Sequence, residues 1–304
     1  MGTAQDETHT LLPYGIIAEC FRNHTVVPFL GAAASFVGAD SVATLPSGAD
    51  LARMLAEEGN YPGSRSDPLT KISQFLEEIP ADRDFLLTRI QSVFYERLAL
   101  DYHSSLTEFL RLLSPQYMPR LIITTNYDVL VEKALESRNL PYLAVSHVMR
   151  NSRYAGRFIT YRSLGQCWSD CIATRTELEE HLVAMTAEGP CTTVVYKMHG
   201  TARLKGLIRP DEGEEFVDSI VLTESDYVEF LEDDRLNKVP SRILDQMRRS
   251  NLLFLGYSLE DWNFRVLLQR LQRIQTRQKQ TKKKHWACRL MAHPDEVENR
   301  FWRL

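Results

Sequence analysis

The chain has 304 residues, 44% of them hydrophobic and 25% charged, with a formal net charge of −4. These are ordinary values for a globular protein, and a chain of about 300 residues buries roughly 75% of the surface that its unfolded form exposes. The small negative charge gives no general electrostatic footprint for nucleic acid, and no run approaches the ~18 apolar residues that span a bilayer.

The opening MGTAQDETHT carries two acids and no Lys or Arg, unlike a secretory leader. Asp6 stands where a myristoylation pattern needs Ser or Thr. A cytoplasmic protein without a membrane segment is expected. The five cysteines are Cys20, Cys167, Cys171, Cys191 and Cys288. An odd number in a long chain argues against a disulfide framework. Cys167 and Cys171 are the only close pair, too few ligands for a structural zinc, so no metal is expected.

In chain order, residues 11–23 read as a helix with Leu11, Leu12, Ile16, Ile17 and Cys20 near one face. Residues 25–30 are apolar and rich in β-branched side chains, which fits a buried parallel strand. The small-residue loop 31–35 follows. Ser47 is a helix cap before the helical spacing of Leu51, Met54 and Leu55. Residues 68–113 read as mostly helical, broken near Pro80 and before Tyr102. A second strand at 121–124 leads through Thr125-Asn126-Tyr127-Asp128 into a helix at 129–137. A short strand is expected at 142–147, and one helix, 176–186, within 148–190. Residues 192–198 form a strong strand that ends at His199-Gly200. A short strand at 220–222 and helices at 224–231 and 240–249 follow. The last core strand, 252–255, precedes Gly256-Tyr257-Ser258. A helix at 261–274 and a strand at 286–291 close the pattern.

Strands alternating with helices predict an α/β fold, a Rossmann-like parallel sheet with helices on both faces. The expected organisation is one domain over 1–304, with a mostly helical insertion at about 47–118 and a second insertion at about 148–190. In such sheets ligands bind beyond the carboxyl ends of the strands. The unusual polar clusters all fall there: Gly31–Ser35, Asn126–Asp128, His199-Gly200 and Gly256–Ser258. The G-x-G-x-x-G dehydrogenase motif is absent after the first strand. A loop of small residues still lets backbone N–H groups approach a phosphate, although alone it is equally a tight turn.

The ordered series Gly31-Ala32-Ala33-Ala34-Ser35, Thr125-Asn126-Tyr127-Asp128, Lys197-Met198-His199-Gly200 and Gly256-Tyr257-Ser258-Leu259 resembles the sirtuin family. The resemblance spans roughly residues 25 to 270. It is nearest to the bacterial sirtuin-like domains of anti-phage defence, which show Thr-Thr-Asn-Tyr-Asp and a late Gly-Tyr-Ser-x-x-Asp segment much like 256–261 here. That resemblance implies roles. Gly31, Ala32 and Ser35 would line the phosphate side of NAD, and Gly256 and Ser258 the adenosine half. Asn126 would contact the nicotinamide ribose and position a water. Asp128 would bond the nicotinamide carboxamide, and His199 would meet the ribose hydroxyls as an acid, base or orienting group. Asn126 and Asp128 also have structural alternatives, as cap and first-turn acid of the helix that follows.

Two departures from the family pattern bear on the reaction. Residues 44–48, TLPSG, lack the Asp-Phe-Arg of the deacylases, and downstream of His199 the sequence has only Cys288 in place of their two cysteine pairs. These losses touch the protein-substrate groove and spare the residues that would cleave nicotinamide from ribose. The expectation is an NAD hydrolase with NAD as substrate, acting in abortive infection. The alternatives are a non-catalytic NAD or ADP-ribose sensor, a deacylase or ADP-ribosyltransferase, and NAD cyclisation. The basic run 270–285, RLQRIQTRQKQTKKKH, is a solvated surface or a docking site for protein or nucleic acid. An unregulated NAD hydrolase would kill its host. The resemblance therefore implies a homo-oligomer or a control partner: a HerA-type ATPase, a sensor with a nucleotide-binding oligomerisation domain, or a short Argonaute-type protein.

Overall fold

The structure is a computed structural model, described over residues 13–35, 45–79, 82–95, 105–149, 153–162, 172–187, 192–203, 217–231, 239–256 and 285–288. The first described elements are α1 (Tyr14–Arg22) and β1 (Val26–Leu30), followed by a single 3-10 turn at Ala32–Ser35. Helices α2 (Gly48–Glu58), α3 (Leu69–Glu78), α4 (Arg83–Phe94) and α5 (Ser105–Leu112) precede β2 (Leu121–Thr124). Next come α6 (Leu130–Glu136), β3 (Tyr142–His147), β4 (Phe158–Arg162), β5 (Ile172–Ala173), α7 (Arg175–Ala187) and β6 (Thr193–Lys197). The order ends with α8 (Glu224–Leu231), α9 (Ser241–Arg249), β7 (Asn251–Leu255) and β8 (Trp286–Cys288).

Among the described residues the strands form one eight-stranded sheet in the order β5-β4-β3-β6-β2-β1-β7-β8. The pairings from β3 through to β8 are parallel. β1 runs VVPFL and β2 LIIT, buried throughout, as a parallel strand covered on both faces requires. Alternate side chains point to opposite faces. Val27, Phe29, Leu121, Ile123 and Phe254 pack with Leu178 of α7 and Ile243 and Met247 of α9. Leu30, Ile122, Ala144 and Val195 pack instead with Leu110 of α5 and Val131 and Leu135 of α6. Each fully buried Leu or Phe contributes roughly 1.5–3 kcal/mol, so the sheet is locked from both sides. The expected Rossmann-like architecture is the observed one.

Helices α2, α3 and α4 share a separate core of Leu51, Leu55, Ile72, Leu76, Leu86 and Ile90. That core closes over Val129, Leu130, Ala202, Ile220 and Leu222, so the helical segment sits on the loops at the carboxyl edge of the sheet. Ser47 caps α2 as expected, its hydroxyl accepting from the Asp50 amide at 3.1 Å.

Two local expectations change. Residues 148–190 supply β4 and β5 as well as α7, and these two strands extend the sheet antiparallel beyond β3. Residues 220–222 are buried but not a strand. The helix expected at 129–137 spans Leu130–Glu136. The expected helix at 261–274 and the basic run to 284 lie outside the described residues.

Candidate functional site

The four polar clusters meet because four parallel strands end in one row. Leu30 pairs with Thr124 on one side and with Leu255 on the other, and Thr124 pairs with Lys197. The main-chain bonds run one step further: Gly31 N to Leu255 O at 2.9 Å, Thr125 N to Leu30 O at 3.1 Å, Met198 N to Thr124 O at 2.8 Å. Each loop therefore begins beside its neighbour. The chain moves from β1 toward β2 and β3, then returns to place β7 on the opposite side of β1. Such a reversal opens the crevice where α/β sheets bind ligands.

Four of the expected residues, Gly31, Ser35, Asn126 and Asp128, form one hydrogen-bonded unit. The Asn126 amide nitrogen donates to the Gly31 carbonyl at 3.0 Å and to Ser35 Oγ at 2.7 Å. Ser35 Oγ donates in turn to Asp128 Oδ2 at 2.7 Å. Both amide hydrogens of Asn126 are thus used, and its carbonyl oxygen accepts from no described residue. A fixed amide with an open oxygen is an oriented dipole. Asp128 Oδ1 accepts from Leu130 N at 3.0 Å, so Asp128, not Asn126, serves the start of α6. One carboxylate oxygen of Asp128 thus serves the helix start and the other accepts from Ser35.

Asp128 is 5% exposed, and burial pushes its carboxyl above the ordinary 3.8 despite the pull of Lys197 and of its hydrogen-bond donors. The folded chain therefore binds this proton more tightly than the unfolded chain. The stability that results is fully present below 3.8 and is lost as pH rises through the higher native value. Asp128→Asn has no such proton. The urea midpoint of the wild type, minus that of Asp128→Asn, is expected to fall between pH 3 and neutrality, and a flat difference would refute the shift.

His199 ends the β6 loop, 5% exposed, with the Tyr227 ring edge-on at 5.4 Å. Its carbonyl accepts from Val221 N at 3.0 Å. Gly200 has φ +96°, where a Cβ would lie 2.1 Å from the Ser219 carbonyl oxygen. The two central loops are tied together. Tyr127 OH donates to Val221 O at 2.8 Å, and Ala202 N to Tyr127 O at 2.7 Å. Gly256 has φ +65° and a Cβ there would meet Ala34 N at 2.1 Å, while Ala33 N donates to Gly256 O at 3.1 Å. Gly31 is buried, and Ala32 and Ala33 are exposed with no bulk beyond a methyl group. Ser258 lies outside the described residues.

Behind these loops lies a buried ionic group that the sequence reading did not single out. Lys197 Nζ pairs with Glu132 Oε1 at 3.1 Å and donates to the main-chain oxygen of Asp128. Tyr161 OH donates to the same Glu132 oxygen at 2.7 Å and lies 3.1 Å from Thr201 Oγ1. The signal was present: a lone lysine closes the apolar strand TVVYK, and a lone glutamate interrupts the buried face of LVEKALE. A single charge inside an apolar run is rarely buried without a partner.

Among the described residues no group of three or more His, Cys, Asp and Glu is placed to hold a metal ion. Cys20 and Cys288 are free thiols. No helix among the described residues is long and apolar enough to cross a membrane. Residues 120–303, more than half of the chain, match the model of the SIR2-like domain. The chain belongs to the SIR2-like domain family. SIR2-like domains are NAD-dependent enzymes, and the shared segment includes Asn126, Asp128, His199, Gly256 and Ser258. Residues 31–35 lie outside the matched segment and join the site through Asn126 and Gly256. No curated protein matches the sequence.

Proposed function

We propose that this SIR2-like domain hydrolyses NAD, giving nicotinamide and ADP-ribose. The observation that carries the reading is the Ser35–Asn126–Asp128 unit, fixed across two strand ends with His199 on the adjoining one. The site suits the substrate. Small exposed side chains at 32 and 33 leave the backbone approachable by a diphosphate. The Asp128 carboxyl group can accept from the NH2 of a carboxamide.

In the proposed reaction the bond between the nicotinamide nitrogen and ribose breaks, and its electron pair leaves with the ring as neutral nicotinamide. Positive charge builds on the sugar. Water, oriented by the open carbonyl oxygen of Asn126, attacks that carbon. Its proton is released to solvent by way of His199, whose imidazole ring can accept a proton on one nitrogen and pass it on. The missing deacylase loop and cysteine pairs favour water as acceptor over an acyl-lysine. Loss of cellular NAD would serve abortive infection, under control of self-association or of a HerA-type ATPase or sensor partner that supplies any nucleic-acid contact.

Mass spectrometry of products from NAD decides the matter. Purified protein is expected to release nicotinamide and ADP-ribose, with His199→Ala and Asn126→Ala each slower by about 10²–10⁴-fold. Cyclic ADP-ribose as product would replace hydrolysis by cyclisation. NAD left intact, with tight binding, would replace it by a sensor.

A further inference from the structure

We propose that Arg83, the first residue of α4, is a positioning residue for His199. The inference rests on His199 being catalytic, and it brings the helical segment α2–α4 into the active site although no residue of that segment belongs to the four strand-end motifs.

The argument follows one guanidinium. Arg83 has 13% of its side chain exposed. Its Nε and Nη2 bond the two oxygens of Asp218 at 2.9 and 3.2 Å, and its Nη1 bonds Asp226 at 2.9 Å. Nη2 also bonds the Ile220 carbonyl at 2.7 Å. Each aspartate organises main chain in turn. Asp218 accepts from Ile220 N at 3.0 Å, and Asp226 from Leu222 N at 2.9 Å and Thr223 N at 3.0 Å. A planar fork of donors can hold two carboxylates and a carbonyl at fixed angles, and an ammonium cannot.

The segment so fixed is the wall of His199. Val221 N bonds the His199 carbonyl, Ser219 Oγ accepts from Thr201 N at 3.1 Å, and the Ser219 carbonyl fills the space that a side chain at 200 would need. Tyr227, one residue after Asp226, presents its ring to the imidazole at 88°. The His199 carbonyl, the main chain of residues 200 and 201 and the imidazole ring are thus all met by the segment that Arg83 anchors. Burial pushes the Asp218 carboxyl up while the Arg83 guanidinium beside it pulls it down.

The test uses Arg83→Gln, Arg83→Lys and the triple variant Arg83→Gln/Asp218→Asn/Asp226→Asn. The triple variant removes the unpaired buried charge, so it keeps the fold available if Arg83→Gln alone melts. Three readouts are taken on folded protein. These are the imidazole NMR signals of His199, assigned by their loss in His199→Gln, the hydrogen exchange of residues 217–223, and kcat and KM for NAD. The expected result is a displaced His199 signal and faster exchange in every variant, least in Arg83→Lys. For kcat a fall of about 10- to 100-fold is expected, with KM changed far less, because a misplacement near 1 Å costs that much. His199 signals and 217–223 exchange that coincide with the wild type overturn the proposal. A wild type that leaves NAD intact overturns the hydrolase reading instead, and the NMR and exchange arms still decide the role of Arg83.

Discussion

Lys197→Met is expected to destabilise the chain by about 3–5 kcal/mol, and adding Glu132→Gln to restore most of that loss. Lys197 is 1% exposed and Glu132 2% exposed, with 3.1 Å between their charged atoms. Two charges taken from water cost several kcal/mol each, and their mutual attraction offsets that cost only while both are present. Methionine fills the volume of the lysine stem but leaves the carboxylate buried beside Tyr161 without a cation. Glutamine at 132 removes the charge and keeps an acceptor for the Tyr161 hydroxyl. Urea unfolding of the two variants at neutral pH measures both steps. Equal midpoints for the wild type and Lys197→Met would refute the claim that the pair holds β6 against α6. The double variant separates fold from site. It regains stability, but the main-chain oxygen of Asp128 still lacks the Lys197 ammonium. NAD turnover should therefore stay low in a chain that is otherwise stable.

Much of this architecture is local in the sequence. β1, β2, β6 and β7 are continuous apolar runs because both faces are covered, and the loops that follow them carry the unusual residues. The bonds that turn those residues into a site are not local. Asn126 and Asp128 reach Gly31 and Ser35 across 91 to 95 positions of sequence. Strand-end order predicted their meeting, and only the shared register explains it. The segment 220–222 shows how a pattern misleads. Ile220, Val221 and Leu222 are almost wholly buried, which reads as a strand. Their main-chain groups bond His199, Tyr127, Arg83 and Asp226 instead of a neighbouring strand. Arg83 gave no signal, because an arginine in the first turn of a helix normally faces solvent. β4 was illegible for a related reason: FITYR is short, and its pairing with β3 is set by tertiary packing.

Gly200→Ala and Gly256→Ala are each expected to cost about 2–5 kcal/mol and to abolish NAD turnover, for different reasons at two ends of the site. At Gly200 the backbone has φ +96°, beyond the left-handed region that L residues tolerate. Its added Cβ would press on the Ser219 carbonyl group and Ile220 Cα, backbone atoms that cannot swing aside like a side chain. The 217–223 wall must move, and the Val221 bond to His199 moves with it. At Gly256 the backbone has φ +65°, a value that alanine adopts at a cost of about 1–2 kcal/mol, so the conformation alone is survivable. The clash is with Ala34 N at 2.1 Å. Relief requires the 31–35 turn to lift from β7, taking Ser35 away from Asn126 and Asp128. Gly15→Ala is the control: it lies in α1 with nothing within 4 Å of its Cβ and should leave stability unchanged or slightly raised. Thermal unfolding and NAD turnover of the three variants read the contrast. Turnover in Gly256→Ala equal to that of Gly15→Ala would detach the 31–35 turn from catalysis and leave the reaction to the β2 and β6 loops.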